Sequence, residues 1–477
     1  MGQERLPNKD SLPVDDVSSY SASAADMRLY QAASLQLAQF KSPVLLHEGN
    51  PHERLYVAAF DGTGNDKFKD PLHATNVAKI DDQVSELSPS RGARIAQGYV
   101  PGPGTQDNFI TRTFDGAIGY THEARVEKMY LLFIEQAAEW HRQDPNVQIR
   151  LIDIGFSRGA EEDASFARLV HERGIQDISG AVYTRDSHGN ITHIEYTKPP
   201  LVPPGKVAQV VGLFDPVGTG HAMREDRRLP PSVISGIQFI ALDEHRRLFK
   251  SDHIIDPGIT PDGRFAGVYV PGAHSDVGGG YHRDGLSTRT GNFVIDYVNG
   301  LSDRPIVEKS PEPDDPRLDV IHDSRKGMWL YRWMPGVDRL APNGYVELEV
   351  PRGEKNRVPD PYNAEPRNEA LSRQFERQPM PDGPVPGALA RQPDLPKSEF
   401  DQWLDHLHVA AQNPDNGAWD RVQHEAAQAY MCTPGGQLFQ QQANELNRTW
   451  DLQQAALQAQ QQALQQQAQQ PSQGFCQ

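Results

Sequence analysis

The stretch that most limits what this chain can fold into is Ile152-Asp153-Ile154-Gly155-Phe156-Ser157-Arg158-Gly159-Ala160. Apolar residues lead into a Gly-x-Ser-x-Gly, and Glu161 to His171 read as helix. A strand, a tight turn and a helix with serine at the apex form a nucleophile elbow, whose glycines let neighbouring elements pack against a strained turn. The turn lifts the hydroxyl clear of the sheet. It also sets the following backbone N–H groups at a helix N-terminus, where they can face a developing oxyanion.

The remaining pattern supplies the strands such a unit needs. Residues 1–50 are polar, with one helix expected over Ala24–Phe40, and read as an N-terminal arm. Arg54–Phe60 is a buried-strand run, stopped by the turn Asp61-Gly62-Thr63-Gly64-Asn65-Asp66. A helix is expected over His73–Leu87, a strand over Ile95–Val100 ending in Pro101-Gly102-Pro103-Gly104-Thr105, and an amphipathic helix over Glu123–Arg142. The elbow strand Val147–Ile154 follows. Val182–Tyr196 reads as a hairpin turning at Ser187-His188-Gly189-Asn190. Strands over Val207–Phe214, Ile237–Leu242 and Ala266–Val270 complete the series. Strands alternating with helices indicate a mostly parallel, doubly wound α/β sheet, which binds ligands beyond the C-terminal ends of its strands. Asp61, Ser157, Asp215 and His274 each follow an apolar strand, so all four would face one edge of that sheet.

Beyond the 51–300 core, 301–397 is dense in Pro and charge and carries the aromatic island Met328–Met334, a candidate lid or cover. Residues 398–477 read as helical, with Phe400, Trp403, Leu404 and Leu407 sharing a face, and grow rich in Gln and Ala from Gln437 on.

An ester hydrolase working through Ser157 needs a base for its proton, an acid to orient that base, and oxyanion donors. Chain order Ser157, Asp215, His274 is that of an α/β-hydrolase. Asp243 and Asp256 are rival acids, and Asp276 reads as a residue bracing its own loop. Backbone N–H groups of Gly62, Thr63 and Gly64, with that of Arg158, are the candidate oxyanion hole. A phosphatase reading of the Asp-Gly-Thr loop lacks its aspartyl nucleophile, because Ala59 stands two residues before Asp61. With 17 histidines in the chain, a lone one is usually a packing residue, but His274 stands between a strand and a Gly-rich loop.

Taken in order, Phe60–Asn65, Gly155–Ala160, Leu213–Gly218, Ala241–Arg246 and Pro271–Tyr281 resemble the motif set of the first class of type VI secretion lipase effectors, with His322-Asp323-Ser324 as a further match. The resemblance covers about 54–300 and implies an α/β-hydrolase phospholipase delivered into competing cells. It implies Ser157 as nucleophile, Asp215 as acid and His274 as base, cleaving glycerophospholipid acyl esters with no metal or other cofactor. It also implies a cognate immunity protein and a secretion-machinery adaptor as partners. Pro216 departs from the threonine usual after the acid. The Gln-rich end is similar in composition to tails of type IV secretion effectors, which leaves the delivery route open. A soluble carboxylesterase and a non-catalytic α/β scaffold are the competing readings.

Composition narrows the classes. A net charge of −17 without any Lys/Arg cluster opposes nucleic-acid binding and adhesion to anionic lipid by charge alone. Cys432 and Cys476, the two cysteines, make neither a disulfide framework nor metal-site spacing. The first 40 residues lack a basic segment followed by an apolar one, and no apolar run approaches membrane-spanning length. The expectation is synthesis in the cytoplasm and export by a specialised route.

Overall fold

The structure, a computed structural model, describes residues 15, 17–87, 94–103, 122–185, 191–218, 226–327, 336–348, 350–351 and 355–380. All lie in the first of two compact units, Met1–Ala390 and Arg391–Gln477. The expected 398–477 helices, the Met328–Met334 island and the hairpin tip 187–190 fall outside the described residues.

The chain opens with β1 (Ser19–Ser21), α1 (Ala24–Leu37) and β2 (Lys41–Pro43). The core then runs β3 (Glu53–Phe60), α2 (Asn76–Leu87), β4 (Ile95–Val100), α3 (His122–Gln143), β5 (Gln148–Phe156) and α4 (Arg158–Arg173). The expected hairpin is β6 (Ala181–Arg185) with β7 (Ile191–Tyr196). There follow β8 (Ala208–Phe214), β9 (Val233–Ala241), β10 (Ser251–His253), β11 (Gly258–Ile259), β12 (Phe265–Val270), α5 (His274–Gly278) and α6 (Gly285–Asn299). The extension adds β13 (Val320–His322), α7 (Ser324–Gly327), β14 (Tyr345–Glu347) and β15 (Arg377–Pro379).

Seven strands form the central sheet in the order β11-β12-β9-β8-β5-β3-β4, parallel throughout except for β11 at one edge. From β3 the chain steps out to β4, then crosses back to β5 on the other side of β3. The loops leaving β3 and β5 therefore diverge, and the crevice between them is where such a sheet holds its ligand. Both faces are covered, which is why the strands read as unbroken apolar runs. Leu55, Val57 and Ala59 pack with Val77, Ile80 and Val84 of α2 and with Phe293 and Val294 of α6. Tyr56, Ala58 and Phe60 face Met129, Tyr130 and Phe133 of α3 and Phe166 of α4. Each of the Val, Leu, Ile, Phe and Met side chains among them contributes about 1.5–3 kcal/mol by leaving water.

Three expectations change. The N-terminal segment is no free arm: α1, started by a Ser23–Asp26 capping box, buries Met27, Tyr30, Ala33 and Leu37 in the core. The Tyr30 hydroxyl reaches the Leu286 carbonyl at 3.0 Å and the Pro271 carbonyl at 3.3 Å. The segment also pairs with the extension, β1 with β13 and β2 with β15, so the two ends of the described chain form a common outer layer. Second, β9 begins four residues earlier than expected. Ser235 and Gly236 interrupt its apolar run, but β8 and β12 flank it on both sides. Third, the helix expected from His73 starts at Asn76, because the Thr75 hydroxyl accepts the Ala78 N–H at 3.1 Å and fixes the N-terminus there. Among the described residues no helix is long and apolar enough to cross a membrane.

Candidate active site

Ser157 sits at the end of β5 with φ 59° and ψ −124°, a conformation that costs a residue with a side chain of order 1–3 kcal/mol. The surroundings force it. A Cβ on Gly159 would meet the Phe60 carbonyl oxygen at 2.3 Å, and one on Gly155 would meet an Asp163 oxygen at 2.4 Å. Behind the serine, the Phe156 ring is clamped between two loops. A Cβ on Gly62 or Gly278 would lie 2.5 or 2.1 Å from that ring.

Asp215 follows β8 with φ 42°, its N–H donating to the Phe239 carbonyl at 2.8 Å. Its Oδ1 accepts the Ala241 N–H at 3.0 Å and a bond from the Arg339 guanidinium. Its Oδ2 lies 2.6 Å from His274 Nδ1, and His274 Nε2 lies 2.7 Å from Ser157 Oγ. With Nδ1–H donating to the carboxylate, the Nε2 lone pair faces the serine hydroxyl, which is the tautomer a base requires. Burial alone would raise the Asp215 carboxyl, but Arg339 and His274 outweigh it and hold it below its ordinary value. Burial also pushes the His274 imidazole below its ordinary value, against the pull of Asp215. At neutral pH the pair is a carboxylate and a neutral base.

His274 opens α5, whose first turn is braced by Asp276 accepting the Ala273 N–H at 2.9 Å. The His274 ring is packed by Phe156 at 4.6 Å and Phe249 at 5.3 Å between centroids. The rival acids are elsewhere. Asp243 accepts the Gly272 N–H at 2.7 Å, and Asp256 abuts Gly267, in the middle of β12 rather than at its C-terminal end.

The four expected oxyanion donors separate. The Gly62 N–H donates to Asp61 at 2.7 Å and the Gly64 N–H to the Pro103 carbonyl at 2.9 Å. Among the described residues, the N–H groups of Thr63 and of Arg158, first in α4, have no acceptor, and the Arg158 side chain bonds the Thr63 hydroxyl across the crevice. Asp61 serves its own loop: besides Gly62 it accepts Thr75 at 2.9 Å and Tyr99 at 2.6 Å. Pro101–Pro103 stiffens the same turn, the Gly102 N–H donating to the Asn65 carbonyl at 2.8 Å.

Three further residues have no role assigned from sequence, although Glu244 lies in the Ala241–Arg246 motif. Arg339 comes from the extension. Glu244 accepts from Arg246 Nε at 2.9 Å and lies beside the His274 N–H at 3.4 Å. His322 lies 2.5 Å from Asp276 and 2.9 Å from Asp15. For His322 the sequence offers the short His322-Asp323-Ser324 match as a hint, and for Arg339 none. No group of three or more His, Cys, Asp or Glu among the described residues could hold a metal ion.

The family model of the type VI secretion Tle1-like phospholipase effector catalytic domain matches residues 54–197 and 202–299. Among solved structures, an uncharacterized protein from Pseudomonas aeruginosa aligns at 16% identity over 83% of this chain and 64% of its own, with TM-score 0.36. The Tle1 effector bound to the VgrG spike of the type 6 secretion system aligns at 19% identity over 50% of this chain and 52% of its own, with TM-score 0.30. An acetyl xylan esterase aligns at 13% identity over 52% of this chain and 98% of its own, with TM-score 0.23. The chain thus spans less than two thirds of the length of the first two. No curated protein matches it.

Proposed function

The chain belongs to the type VI secretion Tle1-like phospholipase effector family, and on that premise we propose that it is a serine hydrolase cleaving acyl esters of membrane glycerophospholipids. The observation that carries the reading is the chain of contacts Ser157–His274–Asp215, at 2.7 and 2.6 Å, delivered by three separate strand ends to one crevice.

In this mechanism Ser157 Oγ attacks the ester carbonyl carbon while His274 Nε2 takes the hydroxyl proton. Asp215 keeps the ring oriented and offsets the imidazolium charge. The negative oxygen of the tetrahedral intermediate is met by the N–H groups of Thr63 and Arg158, each such donor contributing about 2.7–4 kcal/mol to the transition state. Collapse expels the lysophospholipid alkoxide, which receives the proton from His274, and leaves an acyl-enzyme on Ser157. Water, deprotonated by the same Nε2, then attacks the acyl carbon, and the fatty acid leaves as the proton returns to Ser157. No step draws on a cofactor.

Family membership supports delivery to a target cell by the secretion machine through an adaptor. The hazard of such an enzyme to its producer's own membrane supports a dedicated immunity protein. The test of the activity is fatty-acid release from mixed phospholipid vesicles by wild type and Ser157→Ala. Loss of several orders of magnitude in rate with an unchanged fold is expected. Equal release by both proteins would sink the reading. Labelling of Ser157 by a fluorophosphonate without any lipid hydrolysis would move the substrate to soluble esters.

A further inference from the structure

We propose that Arg339 is a positioning residue for the triad, fixing Asp215 through the carboxylate oxygen that His274 does not use, so that residues 336–347 act as a strap completing the site. The proposal rests on Ser157, His274 and Asp215 being the triad.

The strap is fastened on its own account. Val337 N–H donates to the His245 carbonyl at 3.0 Å, and His245 Nδ1 lies 3.0 Å from the Val337 carbonyl. Further along, Ser251 N–H donates to the Gly344 carbonyl at 3.3 Å, β14 pairs parallel with β10, and Tyr345 stacks on His253 at 4.4 Å. Between these anchors a tight turn closes on Asp338 and points Arg339 inward. A Cβ on Gly344 would lie 1.8 Å from the Asp338 carbonyl oxygen, so the turn admits no side chain there. The guanidinium is fully buried. One end bonds Asp215 Oδ1 and the other donates to the Phe249 carbonyl at 2.7 Å. Phe249 is the residue whose ring packs on His274, so the fork holds both the acid and a wall of the base.

The chemical consequence follows from charge. Oδ1 has two donors, Ala241 N–H and Arg339, which leaves Oδ2 to His274. A cation on the far oxygen offsets the carboxylate, so the imidazole is held less strongly in its protonated form. Other charges face the same ring: Glu244 and Arg246 from the loop after β9, with His253 of β10 beyond Asp215. Glu244 and Arg246 pair with each other, and burial followed by Arg339 brings His253 down to about 4, so it is neutral at working pH. Arg339 is the cation bonded to Asp215 itself, so its removal frees that carboxylate to hold the His274 proton more tightly.

The experiment titrates the His274 ring by NMR in the full chain as wild type, Arg339→Gln, Arg339→Met and Arg339→Lys, beside the pH profile of kcat/KM on a soluble short-chain ester. In the two neutral variants His274 should hold its proton roughly tenfold more tightly. The acid limb should move to higher pH by the same amount, with kcat down about tenfold and KM unchanged. Lysine should return the limb toward wild type while kcat stays low, since an ammonium lacks the fork. A folded neutral variant with an unchanged His274 titration overturns the proposal. Failure of both neutral variants to fold also overturns it, giving Arg339 a structural role alone. The titration needs no turnover. A wild-type protein inert to fluorophosphonate would therefore count against the triad reading by a separate measurement.

Discussion

Two buried histidines lie on either side of one short turn and meet opposite fates. His274 has a carboxylate on Nδ1 and a hydroxyl on Nε2, and burial leaves its imidazole below the ordinary value. His322 has a carboxylate on each nitrogen, Asp276 and Asp15, and a Tyr281 ring stacked on it at 3.8 Å. Burial again opposes the charge, but the two carboxylates prevail and its imidazole is raised. One ring is shifted toward the neutral base and the other toward the charged imidazolium. Asp276 joins them, because the same carboxylate that pairs His322 caps the turn presenting His274. What separates the two buried histidines is the number of carboxylates bonded to the ring nitrogens, one for His274 and two for His322.

The most forceful way to break the comparison is to delete each ring in turn. His274→Ala should lower kcat on any acyl ester by about 10⁴-fold or more while its melting temperature stays near wild type. His322→Gln should do the reverse. It leaves two buried carboxylates facing each other and should destabilise the fold by about 3–5 kcal/mol in urea unfolding, with kcat changed less than about tenfold. A large loss of kcat with intact stability in the second variant would erase the distinction.

The pH responses should also diverge, and their signs follow from the shifts. His322 is raised in the folded state. Its contribution to stability is therefore complete below the ordinary value of 6.5 and lost as pH rises through the higher folded value. The melting gap between wild type and His322→Gln should narrow as pH rises. His274 is lowered, so the acid limb of kcat/KM should fall below 6.5. The smallest effect is reserved for the rival acid. Asp243→Asn keeps an acceptor for the Gly272 N–H and should change kcat by less than about threefold, which sharpens the assignment of Asp215.

Six of the seven sheet strands, the elbow and the order of Ser157, Asp215 and His274 are legible because each rests on local signals: apolar runs, glycines at a turn, a polar residue ending a strand. The two-residue edge strand β11 carries no such signal. What was not legible is non-local. Tyr30 looks like an ordinary residue of a polar helix until Pro271 and Leu286 appear against it. Arg339 lies in a Pro-rich stretch with no periodicity, and its meaning comes entirely from a carboxylate brought to it by the fold. The loop amides show a subtler gap. Glycine content marks the Asp61 loop as an anion cradle, but in the fold the N–H groups of Gly62 and Gly64 are already engaged by Asp61 and the Pro103 carbonyl.

The long reach of these contacts also sets an order of assembly. Asp215 and Arg339 are 124 positions apart, and Asp15 waits for a histidine 307 positions later. Contacts of such separation form late, after the entropy of closing their loops has been met by the sheet. On the ribosome, where N-terminal parts fold first, every strand of the central sheet emerges before the arginine does. The newborn protein therefore passes through a stage with the strands of its central sheet made and its acid still without the arginine. By the same token, truncation after α6 would keep every strand of the sheet and all three triad residues but not their last fastening.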